Sequence, residues 1–156
     1  MAPTRDEKLQ AIISQRSRSL IKLVSLVKKD IETKLMDRLH SMGYENFKMG
    51  DMVCLANVQL DGTINNELAK KAKITKQAMS KVVKSLETEG YIYTRKHETD
   101  NRASVIYLTD RGKDLAITAF ECVREIQADY VSIIGEDDSE KLREILTKLL
   151  TKLDML

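Results

Sequence analysis

Between Leu68 and Lys84 the chain carries six lysines, at positions 70, 71, 73, 76, 81 and 84, and no acid. In the same stretch Gln77, Ser80, Lys81 and Lys84 fall at i, i+3, i+4 and i+7, the spacing that puts side chains on one face of a helix. Met79, Val82, Val83 and Leu86 repeat that spacing on the other face. One face packs and the other is displayed. Lysines supply point charges for phosphate oxygens, and the Gln77/Ser80 pair between them suits base edges. The chemistry implied is recognition of a polyanion.

Other chemistries have little to stand on. His40 and His97 lie in different elements, so no His/Cys cluster has metal spacing, and no metal or cofactor is expected. No G-x-S-x-G, G-x-G-x-x-G or P-loop motif occurs, which argues against an enzyme. Cys54, inside the apolar run Met52 to Ala56, reads as a small core residue. Cys122, beside Arg124, is the better candidate for a reactive thiol, yet neither spacing suggests a disulfide framework. Met36, Met42, Met49 and Met52 read as adaptable core filling.

The elements that must position the displayed face follow from the apolar spacing and the turn residues. A long first helix is expected from about Asp6 to His40, bent at the polar stretch 14–19 and ended by Gly43. A shorter second helix runs from Met49 to about Val58, and Asp61-Gly62 turns the chain. Thr63 is the expected N-cap of a third helix, Ile64 to about Lys71, and Thr75 that of the fourth, Lys76 to about Glu89. Two short helices so closely joined form a helix-turn-helix. Tyr91 to Thr94 and Ser104 to Leu108 are β-branched and aromatic and predict a two-stranded hairpin with a polar tip at 97–102. Thr109 then caps a fifth helix, and a sixth follows Gly135, acidic at its start as the helix dipole favours.

Composition is consistent with this plan. The 156 residues hold 26 Lys and Arg against 24 Asp and Glu, so any basic function is local. Residues 61–112 carry 10 bases and 7 acids, whereas 113–156 carry 6 and 10. The longest apolar run is five residues against about 20 for a membrane-spanning helix, and no signal-peptide core follows the charged N-terminus. A cytoplasmic protein with no membrane partner is expected. The single proline, Pro3, leaves the later helices free to run long.

Residues 63–112 resemble the winged helix-turn-helix of the MarR family, the multiple antibiotic resistance regulators. The stretch from Asn66 to Glu87 looks like the family's paired helices. The wing pattern D-x-R-x-x-x-x-x-L-T-x-x-G stands here as Asp100, Arg102, Leu108, Thr109 and Gly112. The resemblance implies a mainly α fold with a small β-hairpin wing, six helices and an intertwined homodimer on palindromic double-stranded DNA. Residues 47–112 would form the DNA-binding domain, and 1–46 with 113–156 the helical dimerisation region. Thr75, Lys76, Gln77, Ser80, Lys81 and Lys84 would lie on the recognition helix in the major groove. Arg102 would enter the minor groove from the wing tip, held there by Asp100, and Lys96 completes the expected DNA-binding set. Lys73 stands where many members have Gly, which implies a non-Gly residue in the left-handed region at a cost of about 1–2 kcal/mol.

The expected function is a DNA-binding transcriptional regulator, a repressor relieved by a small effector bound near the second helix. Two alternatives accompany it: a winged-helix module that grips an acidic protein, and a thiol-based redox-sensing regulator.

Overall fold

The computed structural model describes residues 3–100 and 103–156, and the contacts within it divide the chain into residues 1–34 and 35–156. In the first unit, α1 (Arg5–Gln15) starts at Thr4 with a reciprocal capping box. The Thr4 hydroxyl accepts from the Glu7 amide at 3.2 Å, and the Glu7 carboxylate accepts from the Thr4 amide at 2.7 Å. The polar stretch does more than bend the helix. Ser14 donates to the Ala11 carbonyl, Arg16–Arg18 tightens into a 3-10 turn, and Ser19 is extended before α2 (Leu20–Ser41) begins. The Ser14 hydroxyl, bonded to a backbone carbonyl of its own turn, favours a break at this point. Seven α-helices therefore stand among the described residues where six were expected. None of residues 3–30 is buried.

The second unit begins within α2, where Leu35 and Leu39 are the first core residues. Gly43, at φ +94°, turns the chain, and His40 Nε2 meets the Phe47 carbonyl at 2.9 Å across that turn. The expected helix from Met49 to Val58 is shorter: a 3-10 turn (Met49–Asp51), then the four-residue α3 (Met52–Leu55). Asn57 ends it by donating from its side chain to the Val53 carbonyl at 2.7 Å.

Thr63 is not an N-cap. It belongs to β1 (Thr63–Ile64), and its hydroxyl accepts from the Gln59 amide at 2.9 Å. Ile64 occupies the cap position of α4 (Asn65–Lys71) with no side-chain cap bond. The expected hairpin is thereby a three-stranded antiparallel sheet in the order β1-β3-β2, with β2 (Ile92–Lys96) and β3 (Ser104–Leu108). Thr63 pairs with Ile106, and Thr94 pairs with Ile106 from the other side.

α5 (Lys76–Thr88) is capped by Thr75, whose hydroxyl accepts from the Ala78 amide at 3.1 Å. The turn before it holds Lys73 at φ +54°, in the left-handed region as expected. The N-cap of α6 (Asp110–Ile134) is Thr109, whose hydroxyl accepts from the Gly112 amide at 3.0 Å and donates to the Gly90 carbonyl at 2.6 Å. Gly112 is required by packing: a Cβ there would lie 1.9 Å from the Tyr91 carbonyl oxygen. Arg38 ties the end of α2 to α6 by pairing with Glu125 at 2.9 Å and Asp129 at 2.8 Å. Leu68, Met79, Leu86, Tyr91, Ile106 and Leu115 are fully buried, so α4, α5, the sheet and the start of α6 close on a common core. α7 (Glu136–Lys152) follows Gly135 and buries nothing in this chain.

Candidate nucleic-acid interface

The two faces of α5 are placed as their spacing required. Met79, Val83 and Leu86 are buried, Val82 is half-buried, and Lys76, Gln77, Ser80, Lys81 and Lys84 are exposed along with the cap residue Thr75. The packed face orients the helix rigidly, and the exposed face presents its polar ends to whatever approaches. None of the six lysines sits in an ion pair among the described residues, whose bridges involve Lys28, Lys34, Arg38, Lys113 and Arg143. A phosphate would displace water and counterions from this face, not protein carboxylates.

Ser80 is less free than its spacing suggests. Its hydroxyl donates to the Lys76 carbonyl at 2.9 Å and accepts from the Asn65 side-chain amide at 3.3 Å, so it fastens α5 to the start of α4. Gln77 is exposed one turn before it, with a carboxamide that can both donate and accept. A cleft of about 240 Å³ separates α5 from the sheet and is lined by Asn65, Ser80, Lys84, Glu87, Thr94 and Ser104. Glu87 went unread in the sequence. Its carboxylate accepts from the Thr94 amide at 3.2 Å and the Thr94 hydroxyl at 2.8 Å.

In the wing, Lys96 is exposed and pairs in register with Ser104. Beyond it the His97 amide donates to the Ala103 carbonyl at 2.9 Å, and the Ala103 amide to the Asp100 carbonyl at 3.0 Å, which closes the tip. Asp100 is exposed at this turn. Arg102 lies outside the described residues. His97 Nδ1 accepts from the Thr99 amide at 3.3 Å. The outer face of the sheet is held by Tyr93 stacked on Tyr107, centroids 5.3 Å apart, with the Arg95 guanidinium 5.3 Å above Tyr93.

Neither cysteine is poised for redox chemistry. Both are buried; burial, helped by the Asp51 charge, pushes the Cys54 thiol up to about 12, and burial also raises Cys122. A thiol so held is a poor nucleophile at neutral pH. Among the described residues no group of three or more His, Cys, Asp or Glu could hold a metal ion, and no helix is long and apolar enough to cross a membrane.

An apolar cleft of about 300 Å³ opens between α3 and α6, walled by Leu35, Met52, Leu55, Ala56, Ala116, Ala119, Phe120 and Val123. No charged or hydrogen-bonding side chain lines it. Its floor helix, α3, packs in turn against α5.

Comparison with known proteins matches this architecture. The family model described as MarR family covers residues 49–104. An HTH-type transcriptional repressor of Mycobacterium tuberculosis is 31% identical over 100 residues, which are 64% of this chain and 72% of that protein. Staphylococcus aureus MepR, a transcription regulator of the multidrug efflux pump MepA, superposes with a TM-score of 0.68 at 23% identity over 86% of this chain and 98% of its own. A MepR mutant bound to an oligodeoxyribonucleotide superposes with a TM-score of 0.59 at 24% identity over the same shares. The family model and the 31% identical mycobacterial repressor, with the winged sheet and paired helices, identify the chain as a transcriptional regulator belonging to the MarR family.

Proposed function

We propose that the protein is a homodimeric, sequence-specific DNA-binding repressor that reads a pseudo-palindromic operator and is released by a small apolar effector. The observation that carries DNA binding is the face of α5: Gln77 between exposed lysines that form no ion pair among the described residues. Gln pairs bidentately with adenine, and Lys meets guanine or phosphate. Thr75, Lys76, Gln77, Lys81 and Lys84 face the major groove, while Ser80 steadies the helix more than it reads. Lys96 and Arg102 approach from the wing, with Asp100 shaping the tip. Residues 47–112 form the reading domain, and 1–46 with 113–156 the dimerisation region.

Dimerisation is supported by surface that a lone chain leaves wet. Leu9, Ile12 and Ile13 on α1, Leu142, Ile145, Leu146 and Leu149 on α7, and Ile133 on α6 are all at least 40% exposed. Stripes of this breadth mark an interaction site. The apolar cleft at α3 supports an uncharged effector, because nothing in its lining would compensate a buried ion.

The test is a mobility-shift titration with the DNA upstream of the protein's own gene at 50 and 200 mM salt. Saturable binding that resists competitor DNA and falls about 10³- to 10⁵-fold across that range, as 6–10 phosphate contacts require, supports the regulator. Salt-insensitive or absent binding removes it.

A further inference from the structure

We propose that Glu87 is a positioning residue which holds the wing in register with the recognition helix, so that both reach the same DNA duplex. The inference rests on the DNA-binding reading above. Glu87 lies in the last turn of α5, and one of its carboxylate oxygens accepts two hydrogen bonds from Thr94 of β2, at 3.2 Å from the amide and 2.8 Å from the hydroxyl. β2 is an edge strand, so a Thr94 amide that points to Glu87 points away from β3. The carboxylate thus occupies the one side of the strand that the sheet leaves open.

An acid at this place is otherwise unfavourable on two counts. A negative side chain is disfavoured at a helix C-terminus, where the dipole is already negative. It also lines the cleft shared with Lys84, on the side of the molecule that would face phosphates, where it repels the ligand. Glu87 is exposed and Thr94 half-buried, so their bonds lie outside the buried core. What they fix is an angle. Only Glu89 to Tyr91 separates α5 from β2, and the latch spans this corner, so its loss lets the wing pivot while the helix stays packed.

The experiment compares Glu87→Ala, Glu87→Gln and wild type in mobility shift and hydroxyl-radical footprinting on the upstream DNA. Thr94 amide exchange is followed in each free protein. Gln keeps an oxygen that accepts both Thr94 donors and loses only the charge. Glu87→Ala is expected to bind about tenfold more weakly, to lose protection at the flanks while the centre stays protected, and to exchange Thr94 faster. Glu87→Gln is expected to footprint as wild type, with equal or higher affinity. The proposal is overturned if Glu87→Ala keeps its flanking protection, or if Glu87→Gln loses it to the same extent. A wild-type protein that shifts no DNA while Thr94 exchange still follows Glu87 removes the regulator reading, and the positioning role with it.

Discussion

The winged segment and the terminal helices use their apolar residues in opposite ways. From Phe47 to Leu115 the large apolar side chains mostly turn inward: Leu68, Met79, Leu86, Tyr91 and Ile106 are all within 1% of complete burial. In α1 and α7 no residue is buried, although Leu9, Ile12, Leu142, Ile145 and Leu149 are spaced for a common face. The first region satisfies its own hydrophobic demand. The second presents that demand outward, and an 11-residue helix such as α1 is marginal in water without packing. The winged segment closes its own core, whereas α1 and α7 leave theirs to be covered, as the proposed dimer would do.

The largest expected effect on the exposed stripes is that of Leu149→Glu. Leu149 is half exposed in the single chain, so the substitution should leave the monomer folded. In a symmetric dimer it would strike the interface twice, at about 1.5–3 kcal/mol per lost leucine. Sedimentation should show a monomer, and DNA affinity should drop steeply. A variant that stays dimeric assigns α7 to some other contact. Leu86→Ala makes the complementary case. It removes a fully buried side chain of the reading head and should cost about 2–5 kcal/mol. That loss should not depend on protein concentration, whereas the Leu149 effect should.

Within the reading head the displayed and packed faces of α5 can be separated in the same manner. Gln77→Ala should weaken the cognate operator by about 1–3 kcal/mol and leave nonspecific DNA nearly unchanged. Lys84→Ala should weaken all sequences alike and reduce the salt slope by about one. Equal losses on both kinds of DNA in the Gln77 variant would show that α5 contacts only the backbone.

How far the sequence revealed this molecule depended on the range of the interaction. Helix caps were legible because Thr75 and Thr109 act over three residues, and the two faces of α5 because their period is local. β1 was not, since a two-residue strand carries no period and exists only because β3 runs beside it. Thr63 was misread for that reason: threonine caps helices and also suits strands, and only the sheet decides. Glu87 escaped because its partner lies across a corner, though an acid in a last helical turn was a visible anomaly. The unpartnered stripes were legible as stripes, and their exposure needed the fold.

Lys73 offers a smaller effect. At φ +54° it bears about 1–2 kcal/mol of strain that glycine avoids, against about 0.5–1 kcal/mol of added freedom in the unfolded chain, so Lys73→Gly should give a small net gain, seen as a higher Tm. A lower Tm would show that the lysine side chain makes the turn. DNA affinity should fall slightly, since one basic group is lost.

The smallest effect concerns Asp51, the buried acid before α3. Burial raises its carboxyl above the ordinary 3.8, and Glu89 adds to that, against a hydrogen bond from the Lys48 amide and the Lys48 charge. A carboxyl raised in the native state binds its proton more tightly folded than unfolded. Its contribution to stability is therefore complete below 3.8 and is lost as pH rises through the native value. Asp51→Asn keeps an oxygen for the Lys48 amide and never ionises. Its stability relative to wild type should climb between pH 3.8 and the native value, then stay level to neutrality. Urea unfolding of both proteins across that range measures the difference. An asparagine variant less stable than wild type at neutral pH would mean that the charge at the start of α3 is held by Lys48 more strongly than burial opposes it.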